Sequence, residues 1–200
     1  MTYQYPLKLS FKVLSFSPQI RVTDASGATV QYIEQKLFKL KEDVRVYRDD
    51  KKEHETYQIK ADRIIDFSAT YHIRESNTDR ELGLVQRQGM KSIFKATYNI
   101  KNAMNFEFAT ITEANPWVKV FDSLVEQIPI VGMFSGYMFH PEYIVHEKNT
   151  GKALFSLKKE PAFLEGLFSI TKLDPTINED QANLIILSLM MLVLLERGRG

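Results

Sequence analysis

The chain has 200 residues, enough for one domain or two very small ones, and its 44% apolar share suffices for a substantial core. The 26 Lys and Arg nearly balance 25 Asp and Glu, so the net charge of +1 lacks the dominant positive field that sequence-independent nucleic-acid binding requires. With no cysteine, disulfides, zinc–thiolate sites and thiol nucleophiles are excluded.

Met1 to Lys12 lacks the apolar stretch of an export signal, so a cytoplasmic protein is expected. Leu7, Leu9, Phe11 and Val13 alternate with Lys8, Ser10 and Lys12, the period-two pattern of a half-buried strand. Ile20 and Val22 lead into Asp24-Ala-Ser-Gly27, a turn with glycine available for positive φ. Val30, Tyr32, Phe38 and Leu40 continue as strand, with Lys39 and Lys41 on the opposite face. Val44 to Tyr47 and Tyr57 to Ile59 flank a polar tip over 49–54. Phe67 to Ile73, Leu82 to Val85 and Ile93 to Ile100 extend the series, and short strands between polar turns predict a sandwich or barrel. A weak repeat supports this, because 24–30, 77–84 and 148–154 each place a polar tip and a glycine before a strand.

A helix is predicted over 115–128. Asn115 suits the N-cap and Pro116 the first helical position, while Trp117, Val120, Phe121, Leu124 and Ile128 form one apolar stripe. The run from Ile128 to Phe139, broken by Pro129, Gly132 and Gly136, reads as a buried strand or tight connection; it is too interrupted for a membrane dimer helix. Tyr143 to Val145, Ala153 to Leu157 and Leu167 to Leu173 complete the strands.

Asn178 with Gln181 approximates a capping box, and Glu179 and Asp180 suit the positive end of a helix. The following Leu184 to Leu195 is apolar except for Ser188, yet much shorter than the roughly 20 residues of a membrane span. A helix apolar on every face must be surrounded, and a barrel of many strands offers such a lumen. The expected fold is therefore one mainly β domain over 1–200. It is a closed antiparallel β-barrel around a central hydrophobic helix over 178–197, with the additional helix near 115–128.

This order of features resembles the tubby C-terminal-like superfamily, and within it the LURP-one-related group, with phospholipid scramblases as more distant relatives. The resemblance is carried by Val22-Thr-Asp-Ala-Ser-Gly27, Lys36-Leu-Phe-Lys-Leu40, Arg45-Val-Tyr-Arg-Asp49, Gly89-Met-Lys-Ser-Ile-Phe-Lys95 and the terminal helix. It implies a closed barrel threaded by that helix, and a basic surface of the kind with which tubby domains recognise phosphoinositide head groups. No binding residue transfers position by position.

The residues themselves carry no catalytic constellation. His54, His72, His140 and His146 are scattered, and on one extended strand His140 and His146 would stand about 20 Å apart, too far to share a metal. Glu142 near His140 is a weak acid–base pair. No glycine-rich loop has the spacing of a nucleotide site, so no cofactor or metal is expected. Lys36, Lys39 and Lys41 on one strand region, and Arg87, Lys91 and Lys95 on another, could accept a phosphate or an anionic bilayer, although outward lysines also keep sheets soluble. The expected function is a non-enzymatic binding module. Lys39, Lys41, Arg87 and Lys91 are its ligand contacts, and its partner is anionic membrane lipid or a phosphorylated ligand. The alternative is a protein-interaction scaffold using the Trp117 helix. No nucleic acid and no transmembrane span are expected, and the protein is placed in the cytoplasm, peripheral at a membrane under the lipid reading.

Overall fold

The computed structural model describes residues 3–12, 19–35, 43–63, 69–88, 97–114, 141–162 and 165–197. They form twelve strands and a final helix. The strands are β1 (Leu7–Lys12), β2 (Gln19–Thr23), β3 (Thr29–Gln35), β4 (Asp43–Tyr47), β5 (Glu55–Ala61) and β6 (Thr70–Glu75). They continue as β7 (Glu81–Arg87), β8 (Thr97–Asn102), β9 (Glu107–Glu113), β10 (Glu142–Glu147), β11 (Ala153–Glu160) and β12 (Glu165–Lys172), before α1 (Glu179–Arg197). Each strand pairs antiparallel with its sequence neighbours, and β1 also pairs with β12, which closes the barrel. The helix predicted over 115–128 lies outside the described residues.

Closure follows from the alternation in the sequence. Leu7 and Leu9, Ile20 and Val22, Val44 and Val46, Tyr98 and Ile100, and Phe168 and Ile170 are buried in register across neighbouring strands and face the lumen. The intervening residues form an outer wall rich in charge, the reverse of a barrel wall that faces lipid. On β3 the inward residues are Gln31 and Ile33, paired with Val22 and Ile20, and Tyr32 points outward to donate to Gln19 Oε1 at 2.7 Å. The pairing partners set this parity, so a glutamine enters a lumen lined mostly by apolar side chains. Gln31 Nε2 donates to the Tyr3 hydroxyl at 2.8 Å, and burial pushes the Tyr3 phenol up, keeping it neutral.

The repeat read from sequence is broader and more regular than its three glycines suggest. Five hairpins each carry one left-handed residue at the tip, namely Gly27, Lys52, Asp79, Asn105 and Gly151. Each also carries one bulge beside the tip, between Val22/Thr23, Val46/Tyr47, Ile73/Arg74, Ile100/Lys101 and Val145/His146. This is the hairpin in which a turn closes on a left-handed residue and a bulge restores the pairing. In the β6–β7 hairpin Asp79 takes the turn position; Gly83, which the sequence places in the repeat, instead sits within β7.

All five tips share one end of the barrel with the strap over 173–178 that leads into α1, here the near end. Asp174 organises the strap, accepting from the Thr176 amide at 3.0 Å, the Thr176 hydroxyl at 2.7 Å and Lys152 Nζ at 2.8 Å. Lys152, followed by the Thr176 hydroxyl and amide, holds the Asp174 carboxyl down at about 2. A depressed carboxylate stabilises the fold above its unfolded value, near pH 4, and that contribution is lost as pH falls through about 2. Asp174→Asn is therefore expected to flatten the melting temperature against pH between about 4 and 2, checked by thermal unfolding in acid buffers.

Asn178 caps α1, its Oδ1 accepting from the Gln181 amide at 2.8 Å. From Leu184 to Leu194 every side chain is buried to 4% exposure or less, so the helix is enclosed on all faces within the ring of strands. Ser188, the polar interruption, donates to the Leu184 carbonyl at 2.7 Å and needs no partner from the wall. Side chains alone fill the interior of an eight-stranded barrel; twelve strands leave a wider lumen, and a helix occupies it. It lies nearest β7 and β8, where Gly83 presents no side chain. Among the described residues no helix is long and apolar enough to cross a membrane.

Candidate functional site

With α1 filling the lumen, the surfaces open to a ligand are the outer wall and the two ends. Of the four residues expected to contact an anion, Lys39, Lys41 and Lys91 lie outside the described residues. Arg87 ends β7 on the same face as Gly83 and Val85, paired with the buried Tyr98, so it belongs to the lumen side of the rim and not to an outer basic surface. Alternation from the inward Val85 decides this. The residues that bracket the segments of the three lysines, Gln35 with Asp43 and Gln88 with Thr97, all lie with Arg87 at the far end, away from the strap.

Several outer-wall cations are held in ion pairs. Arg45 Nε reaches Asp43 Oδ1 at 2.8 Å and its Nη1 reaches Glu55 at 2.7 Å. Lys52 meets Glu34 and Lys148 meets Glu107, both at 2.7 Å, and Arg21 meets Asp50 at 2.8 Å. Lys60, exposed at the far end of β5, forms no ion pair among the described residues, as is also the case for the exposed Lys8 and Lys158.

Lys60 opens onto a hollow of about 150 Å³ between β5 and β6, lined by Gln58, Lys60, Ala61, His72 and Arg74. Register builds it. Lys60 stands opposite His72 and Gln58 opposite Arg74, while Ile59 and Ile73 between them face inward. Glu81 on β7 backs the hollow, accepting from His72 Nδ1 at 3.1 Å and from Arg74 Nη2 at 3.2 Å. Arg74 Nη1 also meets Asp79 at 3.5 Å and Gln58 Nε2 donates to Asp43 at 3.4 Å, so the front offers the Lys60 ammonium beside an amide and a guanidinium that are each partly engaged. Those groups hydrogen-bond and neutralise the oxygens of a phosphate or sulfate. Sequence reasoning passed over these residues. The signal available was the pair Gln58-Ile-Lys60 and His72-Ile-Arg74, polar residues two apart around an isoleucine; their meeting depends on the β5–β6 register.

A second depression, of about 560 Å³, lies at the near end between the β4–β5 and β6–β7 tips. Its Glu55 already accepts from Arg45 and Ser76, and Arg48 and His54 share it with Glu53, so no single charge prevails. The other histidines are dispersed: His54 is exposed at a tip, His146 donates to the Gly151 carbonyl at 3.2 Å, and His140 lies outside the described residues, as does its pairing with Glu142. Among the described residues no group of three His, Cys, Asp or Glu is placed to hold a metal ion.

The near end also carries an apolar point. In the β8–β9 tip Asn102 Oδ1 accepts from the Met104 and Phe106 amides, both at 3.0 Å, holding a stiff turn. It leaves Met104 74% and Phe106 66% exposed. The β2–β3 tip has the same side-chain clasp, from Asp24 to Ser26 and Ala28, with small residues at its crest, so this turn does not require large apolar ones.

No family model, curated protein or solved structure matches the chain.

Proposed function

We propose that this barrel is a non-catalytic binding module that takes a phosphate-bearing anion on its outer wall, with Lys60, Arg74 and Gln58 as the contacts. The observation that carries the reading is the β5–β6 hollow, where register assembles cationic and amide donors around a lysine that forms no ion pair among the described residues, while α1 fills the barrel interior. Lys39, Lys41 and Lys91, the contacts expected from the sequence, lie outside the described residues and belong to this proposal by their charge alone. The resemblance of the sequence to tubby-like and LURP-one-related domains suggests the same class of ligand. The module would act in the cytoplasm, peripheral at a membrane when the anion is a lipid head group, with affinity weakened by salt.

Flotation with anionic and neutral vesicles, beside titration with inorganic phosphate, tests this and separates the two sources of the anion. The expected result is salt-sensitive binding to anionic vesicles that falls at least about fivefold in Lys60→Glu, from the loss and reversal of a contact worth about 1 kcal/mol. Phosphate binding without vesicle binding would indicate a soluble ligand. Binding to neither would remove the reading. It would leave the protein-interaction scaffold, which the exposed Met104 and Phe106 favour.

A further inference from the structure

We propose that the β8–β9 tip is a point of shallow insertion into a lipid bilayer, with Met104 and Phe106 entering the boundary between head groups and acyl chains. These residues lie apart from the β5–β6 hollow, so the contact stands independently of the anion reading.

Met104, Phe106 and Leu173 are the large apolar side chains left exposed among the described residues, and all three belong to the near end. Leu173 leaves β12 at the start of the strap, its amide donating to the Leu154 carbonyl at 2.9 Å. The other four tips, over 24–28, 48–54, 76–80 and 148–152, carry only small or polar residues. The β8–β9 tip is tied so that its side chains stay outward. Besides the two bonds to Asn102 Oδ1, the Asn105 amide donates to the Asn102 carbonyl at 2.9 Å and the Asn102 amide to the Phe106 carbonyl at 3.0 Å. A turn held in this way loses little freedom when its crest is covered.

Size decides what covers it. The two side chains of the crest expose on the order of 300 Å² together, well under the roughly 800 Å² that each side of a specific protein interface buries. A bilayer needs no complementary surface, and apolar side chains gain by sinking about 5–10 Å into its boundary. Charge does not oppose the approach. On and beside the flanking tips, Asp79 and Glu81 share Arg74, Arg80 meets Glu75, Lys148 meets Glu107 and Lys152 meets Asp174. Lys101 on β8 and Glu147 on β10, behind the crest, are of opposite sign. No single sign prevails around the crest, so the contact should be indifferent to head-group charge and to salt.

The chain has no cysteine, so one engineered thiol carries an environment-sensitive dye without ambiguity. On Ala103→Cys, beside the crest, the dye is expected to shift to shorter wavelength in excess phosphatidylcholine vesicles, equally at low and high salt. On Lys158→Cys, at the far end, no shift is expected. Met104→Ser with Phe106→Ser should lower partitioning at least about tenfold at an unchanged melting temperature, and Lys60→Glu should leave it as it was. The contact is read at equilibrium in excess lipid, since even one myristoyl chain binds only marginally. No shift on Ala103→Cys, an equal shift on Lys158→Cys, or a shift that survives both serine substitutions overturns the insertion. So does a shift that requires anionic lipid and disappears in Lys60→Glu, which would leave the anion site alone standing. A shift that follows protein concentration without vesicles would assign the crest to a second copy of the chain and overturn it as well.

Discussion

A chain ending at residue 183 is expected not to fold. The truncation removes the run from Leu184 onward, in which each side chain to Leu194 is buried to 4% exposure or less. Fully burying one large aliphatic side chain is worth about 1.5–3 kcal/mol, and a whole domain is stable by only about 5–15 kcal/mol. Losing ten or so such side chains exceeds that margin, even after the entropy of ordering them is subtracted. The loss does not end there, because Leu9, Ile33, Ile59, Ile100, Ile111 and Leu157 on the inner wall would line an empty lumen. A cavity of that width would admit water or collapse, and either outcome breaks the strand register. Circular dichroism and size exclusion of the truncated chain provide the check. A folded, monodisperse product would mean that the strands close without the helix, and the account of the core given above would be wrong.

Gly83→Ala is expected to cost about 3 kcal/mol, at the upper end for a small overpacking substitution, and to lower the melting temperature by about 10 °C. A Cβ at this position would stand 2.3 Å from the Lys101 carbonyl oxygen and 2.6 Å from Leu184 Cδ2. The first neighbour is backbone, held by the β7–β8 pairing of Leu84 with Lys101, and cannot swing aside. The second is a side chain of α1 at its closest approach to the wall. Leu184→Ala in the same chain should relieve the second contact and leave the first, so the double variant should fall short of the sum of the two losses. Thermal melts of the three proteins measure this coupling. An unchanged melting temperature in Gly83→Ala would show that the helix does not lean on β7.

The barrel's parts were legible because their signals are local. Leu7, Leu9 and Phe11 between lysines and a serine announce a strand with one wet face, and the turn residues around Gly27 and Gly151 announce reversals. Asn178 caps α1 as the sequence indicates, with its oxygen on the Gln181 amide. β9 reaches Glu113, past the strand-rich region evident in the sequence, because its polar residues alternate with Ala109 and Ile111, too small and too few to stand out. The candidate site was less legible. Lysines at 39, 41 and 91 attract attention because they cluster in sequence. Lys60 stands alone there and acquires His72 and Arg74 as neighbours only across a strand pair.

What the sequence determined by itself was the kind of molecule: alternating strands with polar tips and one helix too apolar to face water on any side, hence a barrel around a helix. Local alternation and uniform apolarity suffice for that, since each states which side chains must leave water. The tertiary structure decided the rest. It alone set which residue opposes which, and so put Gln31 and Arg87 on the lumen side, seated α1 against Gly83, and brought Gln58 and Lys60 beside Arg74 and His72. Register is a property of two strands together, and each bulge at a hairpin tip shifts it by one residue, which reverses the face a side chain occupies.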